Sequence, residues 1–249
     1  MDDMSTTAGP HRSSFGGAMS KPALLFDLDG TLADTNPDLH ATMNVILARY
    51  GYDPVPMDRV RHMIGGGARK ILERGLAENG ASLPPDILDQ ATEEFVLHYD
   101  QNIDRHTQIF DGVRPILDRA HAQGIGLAVV TNKRESLAAK LLFRLNLHHY
   151  FSVLVGGDTL EQRKPDAAPI LHAIKAMGTP LDAAVMLGDS EADTGSARAA
   201  GIACICVSFG YRRVQLDELG ADAIIDHFDQ LPGALRTLRP GLFDFLQSA

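Results

Sequence analysis

The sequence predicts a doubly wound, mostly parallel α/β sheet that carries an inserted all-helical segment. Three observations lead there. From Val113 onward, short apolar runs alternate with stretches of helical spacing. Those runs have no polar break, as strands covered on both faces do. Between Asp38 and Asp104 only helical periodicity appears. Repeated strand–helix alternation implies right-handed crossovers, so all strand C-termini lie along one edge of the sheet.

The first strand reads Ala23-Leu24-Leu25-Phe26 and ends in Asp27, with Asp29-Gly30 as a turn signal. A helix follows over Pro37 to Tyr50, with Leu39, Met43, Ile46 and Leu47 on one face and Pro37 suited to its start. Val60 to Ile64 leads into Gly65-Gly66-Gly67. A second helix covers Ala68 to Glu78, burying Ile71, Leu72 and Leu76. Pro84-Pro85 opens a third, running to about Ile103 through Ile87, Leu88, Ala91, Phe95 and Leu97. Phe110-Asp111-Gly112 ends this region. Helices are then expected at Val113–Gln123, Arg134–Leu145, Ala167–Met177 and Thr194–Ala200. Strands are expected at Ile125–Val130, Ser152–Val155, Ala184–Leu187, Ile202–Val207 and Ala223–Asp226.

Composition is that of an ordinary globular chain: 249 residues, 45% hydrophobic, 22% charged. The net charge of −9 argues against nucleic acid and against anionic membrane as partners. An anionic substrate would therefore need local positive charge. No apolar run approaches membrane-spanning length. Cys204 and Cys206 alternate on one strand and read as buried thiols, which fits a cytoplasmic rather than a disulfide-stapled protein. Residues 1–20 are rich in Gly, Ser and Thr, lack an apolar signal region and are expected to be a disordered leader.

Four strand ends carry polar groups. The first offers Asp27 and Asp29, the second Thr131 and Asn132. The loop after Val155 offers Lys164 within Arg163-Lys164-Pro165-Asp166, and the strand ending at Leu187 offers Asp189, with Asp193 beyond it. Each has a bland alternative: Thr131, Asn132, Asp189 or Ser190 can cap the next helix, and Lys164 can be a solvated surface lysine. Their coincidence on one edge is what points to chemistry. Two acids two residues apart repel unless a proton or cation intervenes, and Mg²⁺ prefers oxygen ligands. Acids, a metal, a lysine and neutral donors together suit phosphoryl transfer, in which a carboxylate attacks phosphorus and a second carboxyl moves protons.

The order DLDGT, TNK, KPD and GDSEAD resembles the haloacid dehalogenase superfamily of phosphohydrolases, from about Lys21 to the C-terminus. Ile64 to Lys70, Val129 to Lys133 and Phe209-Gly210-Tyr211 resemble its phosphoglycolate phosphatase branch. The resemblance implies a core of residues 21–35 and 106–249 and a helical cap of residues 36–105. It implies Asp27 as nucleophile, Asp29 as general acid and base whose backbone carbonyl also binds Mg²⁺, and Thr131 and Asn132 as phosphoryl-holding groups. It implies Lys164 paired with phosphate and Asp27, Asp189 as a third metal ligand, and Asp193 as support for the metal. Dehalogenases of the superfamily lack the second acid, so Asp29 favours ester hydrolysis. Tyr211-Arg212-Arg213 departs from the branch, which often has smaller or neutral residues there.

Selectivity is expected from the cap. Gly65-Gly66-Gly67 lacks a preceding strand and Walker spacing, so it is no nucleotide loop. Arg69 or Lys70 beyond it could meet a substrate carboxylate, or both could be solvated. His106, His148 and His149 show no zinc spacing. The expected activity is Mg²⁺-dependent hydrolysis of a small phosphorylated acid, with 2-phosphoglycolate as first choice. Alternatives are a sugar phosphate, pyrophosphate or a phosphomutase reaction, a signalling receiver domain, and an inactive binding module. Oligomeric state is left open between monomer and homodimer. The chain near Thr35 and Thr107 is expected to act as hinges.

Overall fold

The computed structural model describes residues 21–60, 63–243 and 246. The leader expected at 1–20 lies outside them.

A six-stranded sheet forms the centre. Its strands are β1 (Ala23–Phe26), β4 (Gly126–Val130), β5 (Val153–Val155), β6 (Ala184–Gly188), β7 (Ala203–Val207) and β8 (Ala223–Ile225), in spatial order β5-β4-β1-β6-β7-β8. Every pairing in it is parallel. β1, β6 and β7 are buried at every position, which explains their unbroken apolar sequence. Cys204 and Cys206 are buried free thiols, as expected. β1 sits in the middle, so Asp27 emerges between β4 and β6, and the register sets Phe26 beside Val129 and Leu187.

Helices α5 (Val113–Ala122), α6 (Glu135–Arg144), α7 (Ala168–Met177) and α8 (Glu191–Ala200) provide the crossovers. α8 begins at Glu191, earlier than the expected Thr194. Ser190 and Asp193 form a capping box that starts the helix three residues sooner. A terminal helix α9 (Leu231–Leu238) was not expected from the sequence. Its Leu231 and Leu235 are fully buried in the core cluster.

Between β1 and β4 lie α1 (Asn36–Arg49), α2 (Met57–Val60), α3 (Ala68–Glu78) and α4 (Pro85–Gln101). α1, α3 and α4 pack on one another. The stripe on α4 is Leu88, Ala91, Thr92, Phe95 and Tyr99, at three- and four-residue steps. Leu97, expected on that stripe, falls on the opposite side and is 64% exposed. Apolar side chains of these helices and of the sheet belong to one continuous cluster, from Leu39 and Phe95 to Phe26 and Leu187.

The chain enters and leaves the helical segment at one place. Two residues of β2 (Ala33–Asp34) pair antiparallel with two of β3 (Gln108–Ile109), a ribbon too short to show alternation in sequence. Beside it the Asp38 carboxylate, 2% exposed, accepts from the backbone N–H groups of His106 and Thr107 and from the Thr107 hydroxyl at 2.8–3.0 Å. The outgoing and returning strands of chain are thus held by a single acid.

A second contact runs alongside. Arg134 at the start of α6 pairs with Glu93, Lys140 with Asp100 at 2.8 Å, and Arg144 with Asp104 at 2.9 Å. Three cations of the sheet's crossover helix therefore face three acids of the helical segment, each about forty positions apart in sequence.

Candidate active site

The parallel strands deliver Asp27, Thr131 and Asp189 to one edge because each directly follows a paired strand. The Asp27, Asp29, Thr131, Asn132, Lys164 and Asp189 picked out from sequence all line one cavity of about 610 Å³. Asp193 is fully buried beneath it. The cavity roof comes from the helical segment, including Gly65, Gly66, Gly67, Arg69, Phe95 and Tyr99. The three glycines have φ of 100°, 82° and 91°, and Gly67 lies over the Asn132 carbonyl, so the loop closes over the strand ends in a backbone shape that only glycine adopts readily.

Lys164 is the electrostatic hub. Its side chain is 1% exposed, and its ammonium sits 2.6 Å from Asp193 Oδ1 and 3.0 Å from Asp27 Oδ1. It also donates to the Val130 carbonyl at 2.7 Å. Burial pulls the ammonium toward neutrality, but Asp193 and Asp27 outweigh it and hold Lys164 protonated. Asn132 donates its side-chain N–H to the Lys164 carbonyl at 2.9 Å, which fixes the lysine loop against the β4 end. The Thr131 hydroxyl accepts from the Lys133 backbone N–H at 3.2 Å.

Asp27 accepts the Leu28 N–H at 2.7 Å on the same Oδ1 that faces Lys164, so Oδ2 takes part in neither contact. Burial, then Asp193 and Asp29, push its carboxyl up to about 6 against the pull of Lys164. Burial, Asp193 and Asp27 likewise push Asp189 well above the usual carboxylate range. Oxygen atoms of Asp27, Asp189 and Asp193 lie within 4.8 Å of one another. Crowded, desolvated carboxylates of this kind are relieved by a hard cation, and an all-oxygen donor set fits Mg²⁺. Asp193 is already saturated: one oxygen takes Lys164, the other takes Asp189 N–H, Ser190 N–H and Ser190 Oγ. That leaves Asp27 and Asp189 as the acids open to direct ligation, with Asp193 behind them. Among the described residues no histidine joins this cluster.

Sequence reasoning overlooked Lys133. It is 7% exposed, and its ammonium lies 2.7 and 2.9 Å from the two oxygens of Asp29 and 4.6 Å from the Tyr99 ring centroid. The TNK motif contained it, but only its first two residues were given roles. The Thr35 hydroxyl donates to Asp29 Oδ1 at 2.7 Å. Of the two cations after the glycine loop, Arg69 lines the cavity and pairs with Asp89 and with Glu73 at 3.3 Å. Lys70 is outside the lining and pairs with Glu73 at 2.6 Å. Arg212 donates to the Ser208 carbonyl and Arg213 pairs with Glu191; neither lines the cavity.

A two-carboxylate strand end on β1, a buried lysine in the loop after β5 and a third acid at the end of the neighbouring strand β6 define a phosphoryl-transfer hydrolase built on a parallel α/β sheet. Residues 24–207 match the family model of haloacid dehalogenase-like hydrolases, and the chain belongs to that family. Phosphoglycolate phosphatase from Agrobacterium fabrum is 41% identical over 214 residues, covering 86% of this chain and 92% of that protein. The enzyme of the same description from Caulobacter vibrioides is 40% identical over 215 residues, with 86% and 91% coverage. The crystal structure of a predicted phosphoglycolate phosphatase from Haemophilus somnus superposes with a TM-score of 0.80 at 28% identity, covering 86% of this chain and 98% of that one. The chain stands with the phosphatases of the family, hydrolases of phosphoric monoesters. Among the described residues no helix is long and apolar enough to cross a membrane.

Proposed function

We propose that this phosphatase hydrolyses a small phosphorylated carboxylic acid, with 2-phosphoglycolate as first choice, through a phosphoryl group carried on Asp27. The observation that carries the reading is the Lys164 ammonium held between Asp27 and Asp193 at the floor of the cavity. Asp27 Oδ2 attacks phosphorus as the ester P–O bond breaks, and the leaving oxygen takes its proton from Asp29. Asp29, now ionised, takes a proton from water as the water oxygen attacks phosphorus. The acyl phosphate bond breaks, releasing phosphate and restoring Asp27. Lys164, Thr131 and Asn132 orient and neutralise the phosphoryl oxygens. Mg²⁺ on Asp27, Asp189 and the Asp29 carbonyl, supported by Asp193, would supply charge neutralisation in that step.

Residues 36–105 act as a cap that excludes water when closed and releases product when open, turning on the chain near Thr35 and Thr107. The cavity volume exceeds what a two-carbon ester fills, which favours as second reading a larger substrate such as a sugar phosphate. Steady-state turnover of a phosphate-ester panel with Mg²⁺ decides between them: preference for 2-phosphoglycolate by kcat/KM supports the first. An Asp27→Asn variant should lose turnover by about a thousandfold or more on every ester. Undiminished turnover in that variant would remove the nucleophile assignment.

A further inference from the structure

Tyr211 lies beyond β7 and is 5% exposed, and its contacts join two places that are distant in sequence. Its backbone N–H donates to Asp189 Oδ2. Its hydroxyl donates to Asp34 Oδ1 in β2 and accepts the Asn36 N–H at 3.0 Å, at the first residue of α1. Its ring lies against Gly30, where an added Cβ would come 2.8 Å from Tyr211 Cδ2 and would also collide with Asp189. Gly210 lacks the side chain that would collide with Asp189, so the backbone can pass directly over that carboxylate. One residue, by its backbone N–H at one end and its phenol at the other, therefore spans from an acid of the candidate cation site to the point where the chain leaves the sheet for the helical segment.

We propose that Tyr211 is a positioning residue that couples cation binding at Asp27 and Asp189 to the tightness of the chain exit at residues 33–36. The inference rests on the cation reading given above. Without a cation, Asp189 sits among repelling carboxylates, with Thr31 Oγ1 at 3.3 Å and the Tyr211 N–H as its partners. A cation fixes Asp189. The fixed carboxylate anchors the Tyr211 backbone, and the anchored phenol holds Asp34 and Asn36. Linkage then works both ways: a tighter exit favours the cation, and the cation tightens the exit.

Amide hydrogen exchange with Mg²⁺ alone as the probe tests this. In the parent protein, saturating Mg²⁺ should slow exchange of the Asn36 amide about fivefold, the lower end of typical site–site coupling. In Tyr211→Phe, which keeps the ring against Gly30, that protection should vanish, and calorimetric Mg²⁺ affinity should fall by no more than the same factor. Asp34→Ala, at the far end of the strut, should decouple the two in the same way. A merely structural Tyr211 would lower the melting temperature and leave the Mg²⁺ response intact, so undiminished protection in both variants overturns the proposal. Calorimetric binding without protection in the parent overturns it too, while leaving the cation site standing. Absence of Mg²⁺ binding removes the cation site and this coupling together, whereas failure to turn over esters with Mg²⁺ bound touches only the assigned reaction.

Discussion

The ammonium of Lys133 faces both carboxylate oxygens of Asp29, at 2.7 and 2.9 Å, with side-chain exposures of 5% and 16%. The proposed proton-transfer acid is therefore held by a cation as well as by the Thr35 hydroxyl. Removing one partner of a buried pair typically costs 3–5 kcal/mol, and the residual exposure of Asp29 puts this pair near the low end. Lys133→Met is expected to destabilise the fold by about 3 kcal/mol and to lower kcat more than it raises KM. Urea unfolding and steady-state kinetics check both. Unchanged values of both would show that the pair neither supports the fold nor positions the acid.

The carboxyl of Asp27 is raised from 3.8 to about 6, chiefly by burial. The folded chain then keeps a proton that the unfolded chain has lost between those two values. Stability from this group is present at low pH and disappears as pH rises through about 6; the upward shift of Asp189 acts in the same direction. A divalent cation binds the ionised acids, so Mg²⁺ affinity should climb as pH rises through this window, with protons released on binding. Calorimetry from about pH 5 to 7.5, in buffers of differing ionisation enthalpy, measures both. A pH-independent affinity would count against Asp27 as a ligand.

Arg69 lines the cavity and Lys70 does not, although they are adjacent in sequence. If Arg69 meets the carboxylate of the substrate, Arg69→Ala should raise KM for 2-phosphoglycolate about tenfold, in line with loss of one charged hydrogen bond. It should barely affect p-nitrophenyl phosphate, and Lys70→Ala should leave both substrates unaffected. Equal damage to the two substrates would remove the carboxylate assignment.

The pairs Arg134–Glu93, Lys140–Asp100 and Arg144–Asp104 are largely solvent-exposed. Exposed pairs contribute about 0.2–1 kcal/mol each. Neutralising Glu93, Asp100 and Asp104 together, as Gln, Asn and Asn, should therefore cost about 1–2 kcal/mol at low salt and nearly nothing at about 1 M salt, where screening is strong. Denaturant midpoints at the two ionic strengths make the comparison, and a salt-independent loss would mean that packing, not charge, joins these helices.

Much of the architecture was legible because buried parallel strands leave a plain signature. Ala23–Phe26 and Ala203–Val207 are unbroken apolar runs and lie where the sequence put them. The edge-lining acids and Lys164 were legible for a related reason, since each stands one step beyond such a run or in the loop after it. What stayed hidden depends on contacts across long separations. Lys133 looks like any helix-start lysine until Asp29, 104 positions earlier, is seen beside it. Tyr211 lies 177 positions from Asp34. The β2–β3 ribbon is two residues wide on each side, below the length at which alternation can register. Leu97 shows the opposite failure: an apolar residue in a helix need not face the core.

The knot at Asp38 also bears on how such a chain can be rebuilt. Departure and return meet at one carboxylate beside a two-residue ribbon, so the covalent path into and out of the helices runs through a single stem. A foreign helical module spliced in after Asp38 and before His106 would inherit that stem, and the order of strands in the sheet would be untouched. Such a module would also have to replace the Tyr99 ring, 4.6 Å from the Lys133 ammonium that holds Asp29, so the stem is exchangeable only together with the packing over that lysine.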